Sequence, residues 1–172
     1  MTTIDRQLVG YLKDAHALQQ HVQAALSEML TTAANEPEMC RPLGRYAERS
    51  RAHTRAIEDR LHAHGSAPSI VRDAGMLFAA VVEGGLGRSR RDPAGKHMRD
   101  AYVAAHLQIA AGEMLRRVAE RAGDRDTAAA AAAMCDDAYA MSEELAARWD
   151  LAVEMSLRQH GVKDIPPPPT GP

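Results

Sequence analysis

The stretch IDRQLVGYLKDAHALQQHVQAALSEM, Ile4 to Met29, decides the fold. Ile4, Leu8, Tyr11, Ala15, Leu18, Val22, Ala25 and Met29 succeed one another in steps of four and three. That apolar seam of heptad type lies on one face only if the chain is helical. Thr2 or Thr3 can accept the first free backbone N–H groups, and Asp5 is favourable in the first turn. Asn35 and Pro37 end the helix.

The same signals recur outward from it. A second helix is expected from about Pro42, which suits a first turn, to His64, with Gly65 and Pro68 beyond it. Its inward stripe is Leu43, Tyr46 or Ala47, Ser50, His53, Ile57, Leu61 and His64. A shorter helix, Ser69 to Gly84, leads into a glycine-rich loop, Gly84 to Gly95, that carries Arg88, Arg90 and Arg91. A long helix is expected from Ala94 to Ala122, closed by Gly123. The last runs from Asp126, as N-cap, to His160 and stops at Gly161. Residues 1–160 therefore read as one all-α, ferritin-like four-helix bundle with a short extra helix in the long crossover. Residues 161–172 are proline-rich, have nothing to bury, and are expected to be a disordered tail.

Composition agrees. The chain has 172 residues, 45% hydrophobic, 26% charged and only 3% aromatic, with a formal charge of −2. That length suits a single core. Abundant Ala and Leu with few aromatic residues argue for helices over a β-sandwich. The balanced charge provides no field for nucleic acid or anionic lipid, and no apolar run is long enough for a membrane span. Without a signal-type apolar segment near Met1, a cytoplasmic chain is expected. The two cysteines, Cys40 and Cys135, read as reduced thiols. The Arg88 loop reads as solvated, and the methionines read as core filler.

Helical bundles often hold two metal ions, using a Glu from each of two helices and Glu-x-x-His from the other two. Residues three apart share a face, so a carboxylate can bridge while an imidazole binds terminally. No Glu of this chain has a His three residues later. Asp59-x-x-His62, with Glu58 beside it, comes nearest, and these positions fall off the inward stripe onto a solvated face.

Several segments resemble the ferritin-like stress proteins of the YciE/YciF type, in order, over about residues 5 to 160. Tyr11 to Gln20 is similar to their opening helix. His53 to Leu61, Gly65 and Ala67 to Asp73 are similar to the second helix and the segment after it. Ala101 to Ala111 with Arg121 to Asp124 resembles the third long helix, and Ala140-Met141 with Trp149-Asp150 the fourth. The resemblance implies inward carboxylates where this chain has Gln19 and His53, and a Gln or His where it has Ile57. It implies two Glu and a Tyr where the chain has Ala105, Gln108 and Gly112. On the last helix it implies Glu near Ala138 or Tyr139, leaving Asp137 as the nearest acid.

Two cations in a low-dielectric interior need about four negative charges, and amides, Ala and Ile supply none. Iron oxidation of the ferritin kind is therefore not expected, and no metal or other cofactor is assigned. Three arrangements remain open at the bundle centre. A neutral repacked core joined by Gln–His hydrogen bonds is one. A pocket for a small organic ligand is another, built from His16, Gln19, His53, Ile57, Ala105, Gln108, Gly112, Asp137, Tyr139 and Met141. The third is a single metal on His16, His53 and Asp137, or metal-independent acid/base chemistry with His53 carrying the proton. The first two point to a non-catalytic ligand-binding or structural protein, stress-related by resemblance and expected to be a homodimer through its helix faces. The third would make it an enzyme.

Overall fold

Thr2 opens α1 (Thr3–Thr32) with a reciprocal cap: Asp5 N–H donates to Thr2 Oγ1 at 3.2 Å, and Thr2 N–H donates to Asp5 Oδ2 at 2.7 Å. The structure, a computed structural model, describes residues 2–68 and 92–168. The expected short helix, the Arg88 cluster and the end of the tail fall wholly or largely outside the described residues. Described residues Gly161 to Pro168 contain no helix or strand.

The fully buried row of α1 is Leu8, Leu12, Ala15, Gln19, Val22, Leu26 and Met29. The sequence places Tyr11, Leu18 and Ala25 between the shared positions, and these are half-buried. The seam is thus turned by one residue at alternate steps, which sets the two large leucines and Gln19 inward.

Helix α2 (Pro37–Ala63) begins earlier than Pro42, at Pro37, the better first-turn proline, since it comes directly after the Ala33–Glu36 turn. Pro42 therefore sits inside the helix, where it cannot donate to the Glu38 carbonyl. That carbonyl accepts instead from Arg148 Nε at 2.9 Å. Helix α3 (Pro93–Ala122) is capped by Asp92, whose Oδ1 accepts from Gly95 N–H at 2.9 Å. It ends at Gly123, with φ of +74°.

The last expected helix is two helices, α4 (Arg125–Ala146) and α5 (Trp149–Gln159), and the N-cap is Asp124, not Asp126. Asp124 accepts from Thr127 N–H at 3.0 Å, whereas Asp126 lies on the exposed first turn. The break at Ala147–Arg148 contains neither Gly nor Pro. Arg148 Nη1 bonds the Glu144 carbonyl there, and Trp149 stacks edge-on against Tyr102 with centroids 5.5 Å apart. The redirected α5 packs on α3, and its Gln159 Oε1 accepts from Ala94 N–H at the start of α3.

The long helices meet in a ring: α1 with α2, α2 with α4, α4 with α3, and α3 with α1. Thr32 at the end of α1 bonds His97 near the start of α3, and Arg60 near the end of α2 bonds Asp124 at the start of α4. Neighbours around the ring are therefore antiparallel, and the diagonal pair α2 and α3 is parallel. The end of α2 and the start of α3 therefore lie at opposite ends of the bundle.

The described residues form two apolar clusters. One holds Leu8, Leu12, Ile57, Leu61, Leu115, Ala119 and Met134. The other holds Val22, Leu26, Met29, Leu43, Met98, Ala105, Met141 and Leu145. The polar residues singled out from the sequence lie between them along the chain.

Candidate functional site

Each long helix sends polar groups into this intermediate layer: His16 and Gln19 from α1, Ser50 and His53 from α2, Gln108 from α3, and Asp137 from α4. Gln19 is fully buried, and its Oε1 accepts from Ser50 Oγ at 2.8 Å. Its Nε2 has no partner among the described residues. Turning the amide over would only exchange which end is unpaired. His53 Nε2 lies 2.9 Å from Asp137 Oδ2, and the other carboxylate oxygen accepts from Arg49 Nη1. A carboxylate accepts only, so this His53 nitrogen carries the proton.

His16 does not join that group. It is buried, and its Nε2 meets Glu58 Oε1 at 3.0 Å. Glu58 is half-buried at the α1–α2 contact, whereas its spacing alone puts it on a solvated face with Asp59 and His62. Only Asp59 and His62 are exposed. Glu58 lies four and eight residues beyond Thr54 and Ser50, and that row is the signal that could have found it.

His53, Gln108, Asp137 and Met141 do converge. With Val22, Tyr46, Arg49 and Ser50 they line a small cavity of about 10 Å³, open to solvent on the Arg49 side. Ile57 packs in the first apolar cluster and Ala105 in the second, neither lining the cavity. Gly112 is buried where α3 and α4 approach: a Cβ there would lie 2.5 Å from Cys135 Sγ and 2.9 Å from Met134 Cε. Volume lost at this position is thus closed by α4 itself. Tyr139, expected to help fill the centre, is 49% exposed. Met134, Ala138, Met141 and Leu145 form the buried row of α4, and position 139 is turned about 100° from Ala138.

The strongest electrostatic cluster lies elsewhere. Asp124 accepts from Thr127 Oγ1 and N–H, from His64 Nε2 at 2.7 Å, and from Arg60 Nη2 at 3.0 Å. Burial pushes its carboxyl up. The Thr127, His64 and Arg60 hydrogen bonds outweigh burial and hold it well below the usual carboxylate range. Sequence reasoning gave His64 to a helix end but missed Asp124. The signal was Gly123-Asp124 with Thr127 three residues on. Burial also raises the Cys135 thiol, and Cys40 Sγ donates to the Ala33 carbonyl at 2.9 Å.

These residues do not fit a bridged pair of metal ions. Asp137 already accepts from Arg49 and His53, and Glu58 from His16. Among the described residues, no three His, Cys, Asp or Glu side chains form a metal-holding group. The set His16, His53 and Asp137 considered for one metal is divided between two separate pairs.

Residues 3–157 match the family described as a domain of unknown function, DUF892. A protein of Xanthomonas campestris pv. campestris superposes with a TM-score of 0.75 at 18% identity, covering 93% of this chain and 99% of that one. The E. coli stress protein YciF superposes at 0.69 and 17% identity, covering 90% and 98%. YcfI of Rhodopseudomonas palustris, described provisionally as a structural protein, does so at 0.67 and 19%, covering 85% and 94%. No curated protein matches the sequence.

Proposed function

This chain belongs to the DUF892 family, and for it we propose a non-catalytic, structural role: a helical bundle of ferritin-like type whose centre is closed by packing and hydrogen bonds instead of a two-metal carboxylate site. One observation carries this. Gln19, at a position where the resemblance implies a carboxylate, is fully buried and bonded to Ser50. Ala105 packed in the core and Gly112 packed against Cys135 support the same reading. The carboxylates near the centre, Asp137 and Glu58, each already accept from a histidine, and Arg49 pairs the charge of Asp137, so the centre falls short of the four negative charges that a pair of cations needs.

The packed core is favoured over the organic-ligand pocket by volume. Ligand sites span about 300–1,000 Å³, against about 10 Å³ at this centre. The word stress in the name of YciF supports a proposal about when the chain is made, not about its chemistry. Calorimetric titration with Fe(II) and with Mn(II) tests the role. The expected result is no saturable heat at micromolar protein. Tight uptake of two ions per chain, with oxygen consumption on adding Fe(II), would contradict it.

A further inference from the structure

We infer that the cavity at the bundle centre is a binding site for one ordered water molecule, held by the Gln108 amide together with Ser50 and His53; the inference rests on the structural role proposed above. The cavity of about 10 Å³ is the size of one water. Polar side chains of α2, α3 and α4 line it, and Val22 and Met141 supply apolar wall.

The lining is short of partners. Gln108 is 3% exposed and lines the cavity, and its side chain makes no hydrogen bond to another described residue. Its amide carries two donor hydrogens and an acceptor oxygen. Ser50 Oγ gives its proton to Gln19 and keeps lone pairs to accept with. His53 spends Nε2 on Asp137 and has its second ring nitrogen left over. A buried water makes about three hydrogen bonds and both donates and accepts, which matches this mixture of needs.

Charge decides against other small occupants. Asp137 is the acid in the lining, and Arg49 and His53 already meet its two oxygens. A cation finds no uncompensated charge here, and an anion would face the carboxylate. The neutral molecule that fits both volume and donor set is water.

A crystal structure of the full chain at about 1.5 Å, grown without added metal, tests this. The expected result is one density peak in the cavity, about 2.7–3.2 Å from the Gln108 amide and from Ser50 Oγ or His53. That peak should be lost in Gln108→Leu, with Ser50→Ala as the second comparison if that variant fails to fold. A cavity without a peak, or a peak that persists unchanged in both variants, overturns the water and leaves the structural role standing. An anomalous scatterer within about 2.3 Å of His53 or Asp137 overturns both.

Discussion

Position 112 shows at the scale of one residue how closely α3 and α4 approach. A side chain there meets Cys135 and Met134 on α4. Gly112→Ala should therefore destabilise by about 1–3 kcal/mol despite the better helix propensity of Ala, as read from the denaturant midpoint. Gln19 and Ser50 behave as a pair. Ser50→Ala alone leaves the buried amide with neither end bonded and should cost about 1–3 kcal/mol, while Gln19→Leu with Ser50→Ala should be near neutral. Asp124 gives a pH dependence with a definite sign. Its carboxyl is depressed in the folded chain, so its contribution is fully present above the unfolded value near 3.9 and is lost as pH falls below it. Asp124→Asn should cost about 2 kcal/mol at pH 7 and flatten the acid limb of thermal stability against pH. His53 could be read as interior from the spacing of its helix, whereas Gln19 and Gln108 were set inward by the resemblance. Tyr139 is one residue, about 100°, off the buried row of α4, and spacing does not separate it from Ala138. Glu58 was missed because its partner, His16, lies on another helix and no local pattern announces the pair.

Among the helices, boundaries were the part that spacing could not fix. The seam of α1 has two registers sharing Leu8, Ala15, Val22 and Met29, and apolar residues at 11, 12, 25 and 26 satisfy either. Packing against α2 and α3 resolves it toward Leu12, Gln19 and Leu26. Pro42 was a plausible first residue until Pro37, with the same advantage, is seen to lie next to the turn. The cost of an internal proline is offset by Arg148, which arrives from the far end of the sequence and so left no local trace. Arg148→Ala should lower stability by about 1 kcal/mol with an unchanged denaturant slope, because one carbonyl loses its donor and the fold is kept. The break between α4 and α5 has the same origin. Its residues are good helix formers, and contacts from Arg148 and Trp149 turn the chain where propensity would have continued it.

The all-α class and the order of the described long helices were the most legible features, because they follow from the apolar periodicity and the helix-ending residues. The interior chemistry proposed here starts from what the sequence lacks. No Glu has a His three residues later, and on the proposed reading Gln, His, Ala and Gly stand where the resemblance implies acids. Which side chains close the vacated space was not legible, since Cys135 and Met134 approach Gly112 only through the α3–α4 contact. The central claim is that this layer holds a hydrogen-bonded network instead of a pair of cations. Elemental analysis of the protein, purified without chelators from cells grown with ample iron and manganese, tests it most directly. Well under one equivalent of iron or manganese per chain is the result expected, and two equivalents that survive dialysis would contradict it.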